Sequence, residues 1–316
     1  MTCRCCGGDT KRRGFYRNKN FNVQRYECLK CGTSFAEKQP LDNLRVDFKQ
    51  ACQVVHMLVE GTGIRACERL TGLNRRTVLG ILRVAGEKCA ALLDGKIRNL
   101  RVAQLETDEI WCFVGCKSVN AHPLDMERGD QYTYLTFDRD TKLIVNYFIG
   151  KRTGENCEIV MRDLKARIDG QFQLSTDAFR GYASRKGAVF QTFGNAIDFG
   201  MLSKCYGRDI QDQRRYSPPV CLYVKKTVEI GHPDVGMICT SHVERQNLNI
   251  RLFNRRFTRL TLGFSKKFEN LKHSIALLVA YHNFCRVHTT LKQTPAQAAG
   301  LANHAWTIAE LLSFNP

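Results

Sequence analysis

A pair of Cys-x-x-Cys motifs near the N-terminus limits what this chain can fold into. Cys3 and Cys6 form the first motif, Cys28 and Cys31 form the second, and 21 residues separate the two. Four thiolates at this spacing can surround one Zn2+ as a tetrahedron. Because the surrounding segment has few aliphatic residues, the metal would supply the folding free energy that its small core lacks. The spacing predicts a zinc ribbon over residues 1–40.

Two disulfides are the alternative use of these four cysteines. The chain has 15 cysteines, an odd number, and its first residues are not apolar. We find neither a signal peptide nor an apolar run of about 20 residues that would span a membrane. We therefore expect a cytoplasmic protein without a membrane partner, whose cysteines are reduced unless they hold metal. Cys5, beside the first motif, is either a spectator or a competitor for the metal.

The positive charge of the chain is concentrated in two regions. The net charge is +18, with 19 basic and 9 acidic residues in 1–100 and 8 basic and 1 acidic in 245–273. Residues 101–244 carry 19 of each sign. Such an excess predicts a polyanionic partner, for which DNA is the natural candidate. A generally basic protein with no nucleic-acid partner is the alternative.

Residues 44–94 have apolar side chains at helical spacing. A helix at 64–70, a glycine-containing turn and a helix that Asn74 can cap have the spacing of a helix-turn-helix. We therefore predict a DNA-binding domain over residues 41–100. Its recognition helix would contact bases through its first turn, which contains Arg75, Arg76 and Thr77. An ordinary helical bundle with a solvated basic end is the alternative.

After residue 104 the pattern alternates between strands and helices, which predicts an α/β fold. The predicted strands are 105–114, 132–137, 143–149, 172–175 and 222–230. The predicted helices are 154–168, one starting near Phe179, 241–257, 265–285, a short one from Pro295, and 306–312.

Three acids occupy positions that suit a metal site. Asp108 lies in the first of these strands, Asp177 follows the strand at 172–175, and Glu244 lies on a later helix. Two Mg2+ (or Mn2+) ions about 4 Å apart need carboxylates that converge from separate elements. Without metal, such carboxylates should repel one another. Spacing alone leaves a scatter of surface acids as the alternative.

Neighbouring residues compete with this trio. Glu106 shares the strand face of Asp108 and is a competing ligand, whereas Glu109 should point to the opposite face and be excluded from the site. His242 lies roughly opposite Glu244 on the predicted helix, so we expect it to make a structural or DNA contact and not to bind metal.

Two arginines follow Glu244 along the same face of its predicted helix, and two more lie close by. They can hold the phosphates of bound DNA, and a solvated basic helix face is the alternative. The residues are Arg251, Arg255, Arg256 and Arg259.

Several strings of this sequence resemble the insertion sequence one family of transposases, in its single-reading-frame form. They are CLKC at 28–31 with its partner motif, TDEIW at 107–111, LSTD at 174–177 and SHVERQN at 241–247. The tail, YHNFCRVH at 281–288 with TPA at 294–296, is similar to tails of many transposases of this catalytic class. The resemblance covers nearly the whole chain.

The resemblance implies an RNase H-like catalytic domain over 101–290, whose first three strands are antiparallel, followed by a helical tail over 291–316. It implies that Asp108, Asp177 and Glu244 are the metal-binding triad, and that Glu106 is a bystander. Compact family members keep the last two acids close, whereas 66 residues separate them here, so an insertion is expected at about 190–238.

The activity implied is Mg2+-dependent cleavage at terminal inverted repeats followed by strand transfer into target DNA. The protein would act as a homodimer or higher homo-oligomer on DNA, in the nucleoid of a bacterial or archaeal cell. The alternative function is a zinc-ribbon and helix-turn-helix regulator with an inactive core, which binds DNA without cutting it.

Overall fold

The computed structural model describes residues 1–17, 22–37, 40–41, 44–183, 187–207 and 221–315. Residues 208–220, part of the expected insertion, therefore lie outside the described residues. Within the described ranges, no helix is both long and apolar enough to cross a bilayer.

A small antiparallel sheet forms the N-terminal part of the chain. Its strands, in spatial order, are β1 (Thr10–Arg17), β2 (Asn22–Cys28) and β3 (Ser34–Ala36). The register of β1 on β2 shifts between Arg12 and Phe15, where Gly14 has a φ of 76°. Few of its side chains are buried, among them Val23 and the cysteines Cys3 and Cys28.

Three helices follow, as the sequence predicts. They are α1 (Phe48–Val59), α2 (Ile64–Thr71) and α3 (Arg75–Lys96). Asn74 caps α3, because its side chain accepts a hydrogen bond from the backbone N–H of Arg76 at 2.9 Å. Gly72 supplies the left-handed conformation that ends α2, with a φ of 70°. The predicted cap and the glycine turn are both confirmed.

A six-stranded mixed sheet forms the centre of the fold. Its order within the described residues is β6-β5-β4-β7-β8-β9. The neighbours β4, β5 and β6 are antiparallel as expected, β7 and β8 run parallel to β4, and β9 is antiparallel to β8. The strands are β4 (Gln104–Val114), β5 (Gly129–Asp138), β6 (Ile144–Gly150), β7 (Gln173–Asp177), β8 (Asp198–Tyr206) and β9 (Cys221–Ile230).

The remaining helices pack around this sheet and against α3. They are α4 (Gly154–Lys165), α5 (Ala188–Phe193), α6 (Ser241–Phe253), α7 (Phe268–Ala280), α8 (Pro295–Ala298) and α9 (Ile308–Ser313). The chain after α7 covers one sheet edge, because the Asn283 side chain bonds both the N–H and the carbonyl of Ile144 in β6, at 3.0 and 2.9 Å.

The helix predicted to start near Phe179 is wrong. Residues 178–183 form a bend and turns, and the next described helix is α5. The Asp177 side chain accepts a hydrogen bond from the backbone N–H of Phe179 at 3.0 Å. This local bond stabilises a turn in place of a helix.

The segment expected to be an insertion, residues 190–238, contributes to the central sheet. It contains most of α5 and all of β8 and β9, and the strand at 222–230 was predicted. β8 is packed closely, since a Cβ on Gly200 would lie 2.4 Å from the Cδ1 atom of Ile238. The described part of this segment therefore extends the sheet.

Candidate functional site

Asp108 and Asp177 lie on two adjacent parallel strands, just beyond the point where the pairing of these strands ends. β4 pairs with β7 up to Thr107 and Thr176, so the two aspartates are the next residues along each strand. The Asp108 carboxylate accepts a hydrogen bond from the Asn247 side chain of α6 at 2.8 Å. The sheet register therefore brings these two predicted residues together and places Asp108 against α6.

Glu244 reaches the same place from α6. Its carboxylate accepts a hydrogen bond from the Thr240 hydroxyl at 2.7 Å and forms an ion pair with Lys204 of β8. Asp108, Asp177 and Glu244 line one open pocket of about 520 Å3. The structure thus brings all three sequence-predicted carboxylates to a single cavity.

Glu106 performs a different task, at the beginning of α6. Glu106 is buried, with only 2% of the residue exposed. Its carboxylate accepts hydrogen bonds from the backbone N–H groups of His242 and Val243, both at 2.9 Å. The His242 ring nitrogen Nδ1 lies 2.6 Å from the same carboxylate. These contacts bind the positive end of the α6 dipole. Glu106 is turned toward the helix and is not among the residues that line the pocket.

The expected exclusion of Glu109 from the site is wrong. Ligand oxygens of Asp108, Glu109 and Asp177 all lie within 4.8 Å of one another. Asp108 and Glu109 are both paired with β5, so their side chains leave opposite faces of β4. The pairing of β4 with β7, however, ends at Thr107 and Thr176, just before Asp177. Asp177 can therefore approach carboxylates on both faces of β4.

Arg152 connects Glu109 to Asp177. Its guanidinium bonds Glu109 through Nε and Asp177 through Nη2, both at 2.9 Å, and lies over the Phe179 ring at 4.1 Å from its centroid. The hydroxyl of the fully buried Tyr182 donates to the other oxygen of Glu109. Sequence reasoning missed both partners, because Arg152 and Tyr182 are 43 and 73 residues from Glu109 along the chain.

Burial, and after it the crowding of acids, raises two pKa values in the site. Burial, together with the charges of Asp177 and Glu244, raises the pKa of Asp108 to about 6. Burial, followed by the charge of Asp177, raises the pKa of Glu109 to about 7. The expected repulsion among the carboxylates is therefore present, and a bound cation would relieve it.

The residues of this pocket fit a divalent cation. Carboxylate oxygens are the hard ligands that Mg2+ and Mn2+ prefer. Three such oxygens lie close enough together to share one ion, and the Glu244 carboxylate lines the same cavity. The acidic cluster can therefore bind metal.

The four N-terminal cysteines also converge. The Sγ atoms of Cys3 and Cys31 are 3.6 Å apart, and those of Cys6 and Cys28 are 3.5 Å apart. All four lie within 4.8 Å of one another. Zn–S bonds of about 2.3 Å in a tetrahedron place sulfurs about 3.8 Å apart, so the four thiols fit one Zn2+.

The two cysteine motifs adopt matching turns. Gly7 and Gly32, each four residues after the first cysteine of its motif, have φ angles of 69° and 67°. Each donates its backbone N–H to the carbonyl of that cysteine, at 2.9 and 3.1 Å. Backbone N–H groups also point at the sulfurs, such as that of Cys31 at 3.4 Å from Cys28 Sγ. Such donors stabilise thiolates.

The residues predicted to contact DNA differ in exposure. Arg75 and Arg76 are exposed at the start of α3, Thr77 beside them is half-buried, and Arg255 and Arg259 are exposed after α6. Arg251 is half-buried, and its Nη1 atom has no hydrogen-bond partner within the described part of the chain.

Arg256 is used inside the protein. Its guanidinium bonds the hydroxyls of Ser265 and Ser274 at 2.9 and 3.2 Å, and burial lowers its pKa to about 10. These internal bonds argue against the predicted phosphate contact for this arginine. Helix periodicity indicates a face, but it does not show what packs against that face.

Comparison with known proteins gives little similarity. No family model matches the sequence, and no curated protein matches it. A solved structure that does match is the piggyBac transposase synaptic complex with hairpin DNA, at 10% sequence identity. The match covers 84% of this chain and 68% of that chain, with a TM-score of 0.40. So loose a likeness leaves the function of this chain to be argued from its own residues.

Proposed function

We propose that this chain is a DNA transposase whose active site is the pocket lined by Asp108, Asp177 and Glu244. The observation that carries the proposal is the convergence of these carboxylates, from two parallel strands and a packed helix, on one open cavity. We assign the core to the RNase H-like class, and the chain to the insertion sequence one family, on the sequence strings quoted above.

The reaction has two phosphoryl-transfer steps. Water attacks a phosphodiester at the terminal inverted repeat, one P–O bond forms as another breaks, and a 3′-hydroxyl is released. That hydroxyl then attacks a phosphodiester of the target DNA, again exchanging one P–O bond for another. Two divalent cations, when bound by the three carboxylates, supply activation of the attacking oxygen and stabilisation of the leaving one.

The chain's own residues orient the three ligands. Asn247 holds the Asp108 carboxylate through its 2.8 Å hydrogen bond, and the Thr240 hydroxyl holds Glu244. Arg152 holds Asp177.

The N-terminal parts would locate the DNA. We assign residues 1–40 to a zinc ribbon on the fit of its four thiols, and residues 41–100 to a helix-turn-helix whose exposed Arg75 and Arg76 enter the DNA groove. The catalytic domain would span 101–290 and the helical tail 291–316. Since two element ends must be brought together, we propose that at least a homodimer acts on DNA.

A strand-transfer assay tests the proposal. Purified protein would be incubated with Mg2+ and DNA from both flanks of its gene, and cleaved and joined products would be measured. Asp108→Asn, Asp177→Asn and Glu244→Gln each remove one charge with little change of shape. Each should reduce product at least about a hundredfold, as expected when a metal ligand is lost.

Glu229→Gln provides the matched control. Glu229 is an exposed acid on β9 outside the pocket, so its variant should retain wild-type activity. Binding without cleavage by the wild-type protein would reject the proposal and favour the DNA-binding regulator. Joining that persists in the Asp177→Asn variant would reject the triad.

A further inference from the structure

Lys204 lies in the candidate active site but is neither a predicted metal ligand nor a predicted DNA-contact residue. It is on β8, and its Nζ atom contacts both carboxylate oxygens of Glu244. We propose that Lys204 is a positioning residue that leaves Glu244 for a DNA phosphate when a divalent cation binds. This inference rests on the proposed function.

The pair between Lys204 and Glu244 is easily broken. Its side chains are 27% and 41% exposed, and ion pairs this open to water contribute little free energy. One Glu244 oxygen already accepts the Thr240 hydroxyl at 2.7 Å, and both oxygens contact the lysine. A cation that uses Glu244 as a ligand must therefore displace the ammonium group.

Arg152, another cation of the pocket, is held much more firmly. It forms two ion pairs at 2.9 Å and stacks on Phe179. Lys204 has no second hydrogen-bond partner within the described ranges, and its flexible stem lets the ammonium group move. Once displaced, the ammonium remains in the pocket, where a scissile phosphate would lie.

Charge favours this exchange. Before metal binds, the four carboxylates of Asp108, Glu109, Asp177 and Glu244 outnumber the three cations of the pocket, Arg152, Arg180 and Lys204. The net negative charge repels a phosphate. Divalent cations reverse that balance and free the lysine at the same time. Metal and phosphate binding are therefore coupled through one side chain, and the coupling must be reciprocal.

The first test measures Mn2+ affinity of the full-length protein by calorimetry without DNA. Lys204→Gln should bind Mn2+ about threefold more tightly, because no ion pair has to be broken. Lys204→Arg retains the pair and should stay close to wild type. Lys225→Gln is the matched control, since Lys225 is exposed on β9 opposite Ser203 and should not affect Mn2+ affinity.

The second test measures how the affinity for a mixed-sequence DNA duplex depends on salt. The quantity compared is the slope of log affinity against log salt concentration. In Ca2+, this slope should be steeper for the wild type than for Lys204→Gln by about one, because the variant lacks one phosphate contact. Without divalent cations the two slopes should agree, because Lys204 is then held by Glu244.

Weaker Mn2+ binding by Lys204→Gln, or equal slopes in Ca2+, would overturn the inference. A purely structural role predicts weaker Mn2+ binding together with lower stability, which urea unfolding would detect. If the wild type binds Mn2+ and DNA but cuts no DNA, the proposed function fails, while the two affinity comparisons still decide the role of Lys204.

Discussion

Asp108 and Glu109 have pKa values of about 6 and 7, raised mainly by burial. The ordinary pKa values of Asp and Glu side chains are lower, so the folded protein binds a proton at each of these carboxylates more tightly than the unfolded chain does. Their contribution to stability is therefore present at low pH and is lost as the pH rises from about 4 to about 7. The residues that would bind metal thus destabilise the metal-free protein at neutral pH.

Neutralising Asp108 should accordingly stabilise the metal-free protein. Asp108→Asn keeps an oxygen for the Asn247 hydrogen bond but removes the buried charge. In Mg2+-free buffer near pH 8, we expect its free energy of unfolding to rise by about 1 to 2 kcal/mol. Urea unfolding measures this, and the gain should vanish near pH 4. A loss of stability at both pH values would contradict the explanation.

Replacing Arg152 should have the opposite effect and lower the free energy of unfolding. Arg152→Met leaves the Glu109 carboxylate, whose side chain is 2% exposed, without its cation. Allowing for the solvent screening of a partly exposed arginine, we expect a loss of about 1 to 2 kcal/mol near pH 8. Much of it should be recovered near pH 5, where Glu109 is protonated. A loss that is independent of pH would point to the stacking on Phe179 instead.

At the scale of elements, the attachment of α6 to β4 determines where Glu244 lies. Glu106 accepts two backbone N–H groups of α6 and contacts the His242 ring, so a single buried carboxylate fixes the helix on the strand that carries Asp108. The resemblance to known transposases made Glu106 a bystander, yet its place in the fold makes it an anchor for the helix of the third acid.

We expect Glu106→Gln to destabilise the protein by about 2 kcal/mol, because the amide oxygen can still accept from α6 but the charge that strengthens these buried hydrogen bonds is lost. Cleavage should also fall, since α6 carries both Glu244 and Asn247. Glu155→Gln is the matched control: Glu155 is a first-turn acid of α4 that is exposed, and its loss should change stability by less than about 0.5 kcal/mol. Urea unfolding of the three proteins tests this, and equal effects in both variants would reject the anchoring role.

Local elements could be predicted from the sequence, whereas long-range contacts could not. Periodicity and caps predicted α1 to α3 and the strands β4, β5 and β6, because these signals depend on neighbouring residues. The antiparallel arrangement of the three strands was expected only from the resemblance to known transposases. The same rules failed near Phe179, where an aspartate side chain bonds the backbone. They also missed Arg152 and Lys204, which reach the acids only through the order of strands in the sheet.

At the scale of the whole molecule, the N-terminal sheet and the rest of the chain have separate sources of stability. The described apolar core is one cluster that begins at Leu41 and includes no residue before it. The N-terminal sheet instead contains four converging thiols and few buried side chains. Its stability should therefore depend on Zn2+, whereas that of the remainder should depend on apolar burial.

Removal of zinc should unfold the N-terminal sheet alone. Calorimetry of the full-length protein should show two transitions, and a zinc chelator or Cys28→Ser should abolish only the one assigned to residues 1–37. Cys5→Ser is the matched control, because Cys5 is exposed and lies outside the four-thiol cluster. With zinc removed, Mg2+-dependent cleavage of mixed-sequence DNA should persist, while preference for the element's own ends should weaken, because only the helix-turn-helix remains folded to recognise them. Loss of both transitions would show that the core depends on the N-terminal sheet, contrary to the separation of their buried residues.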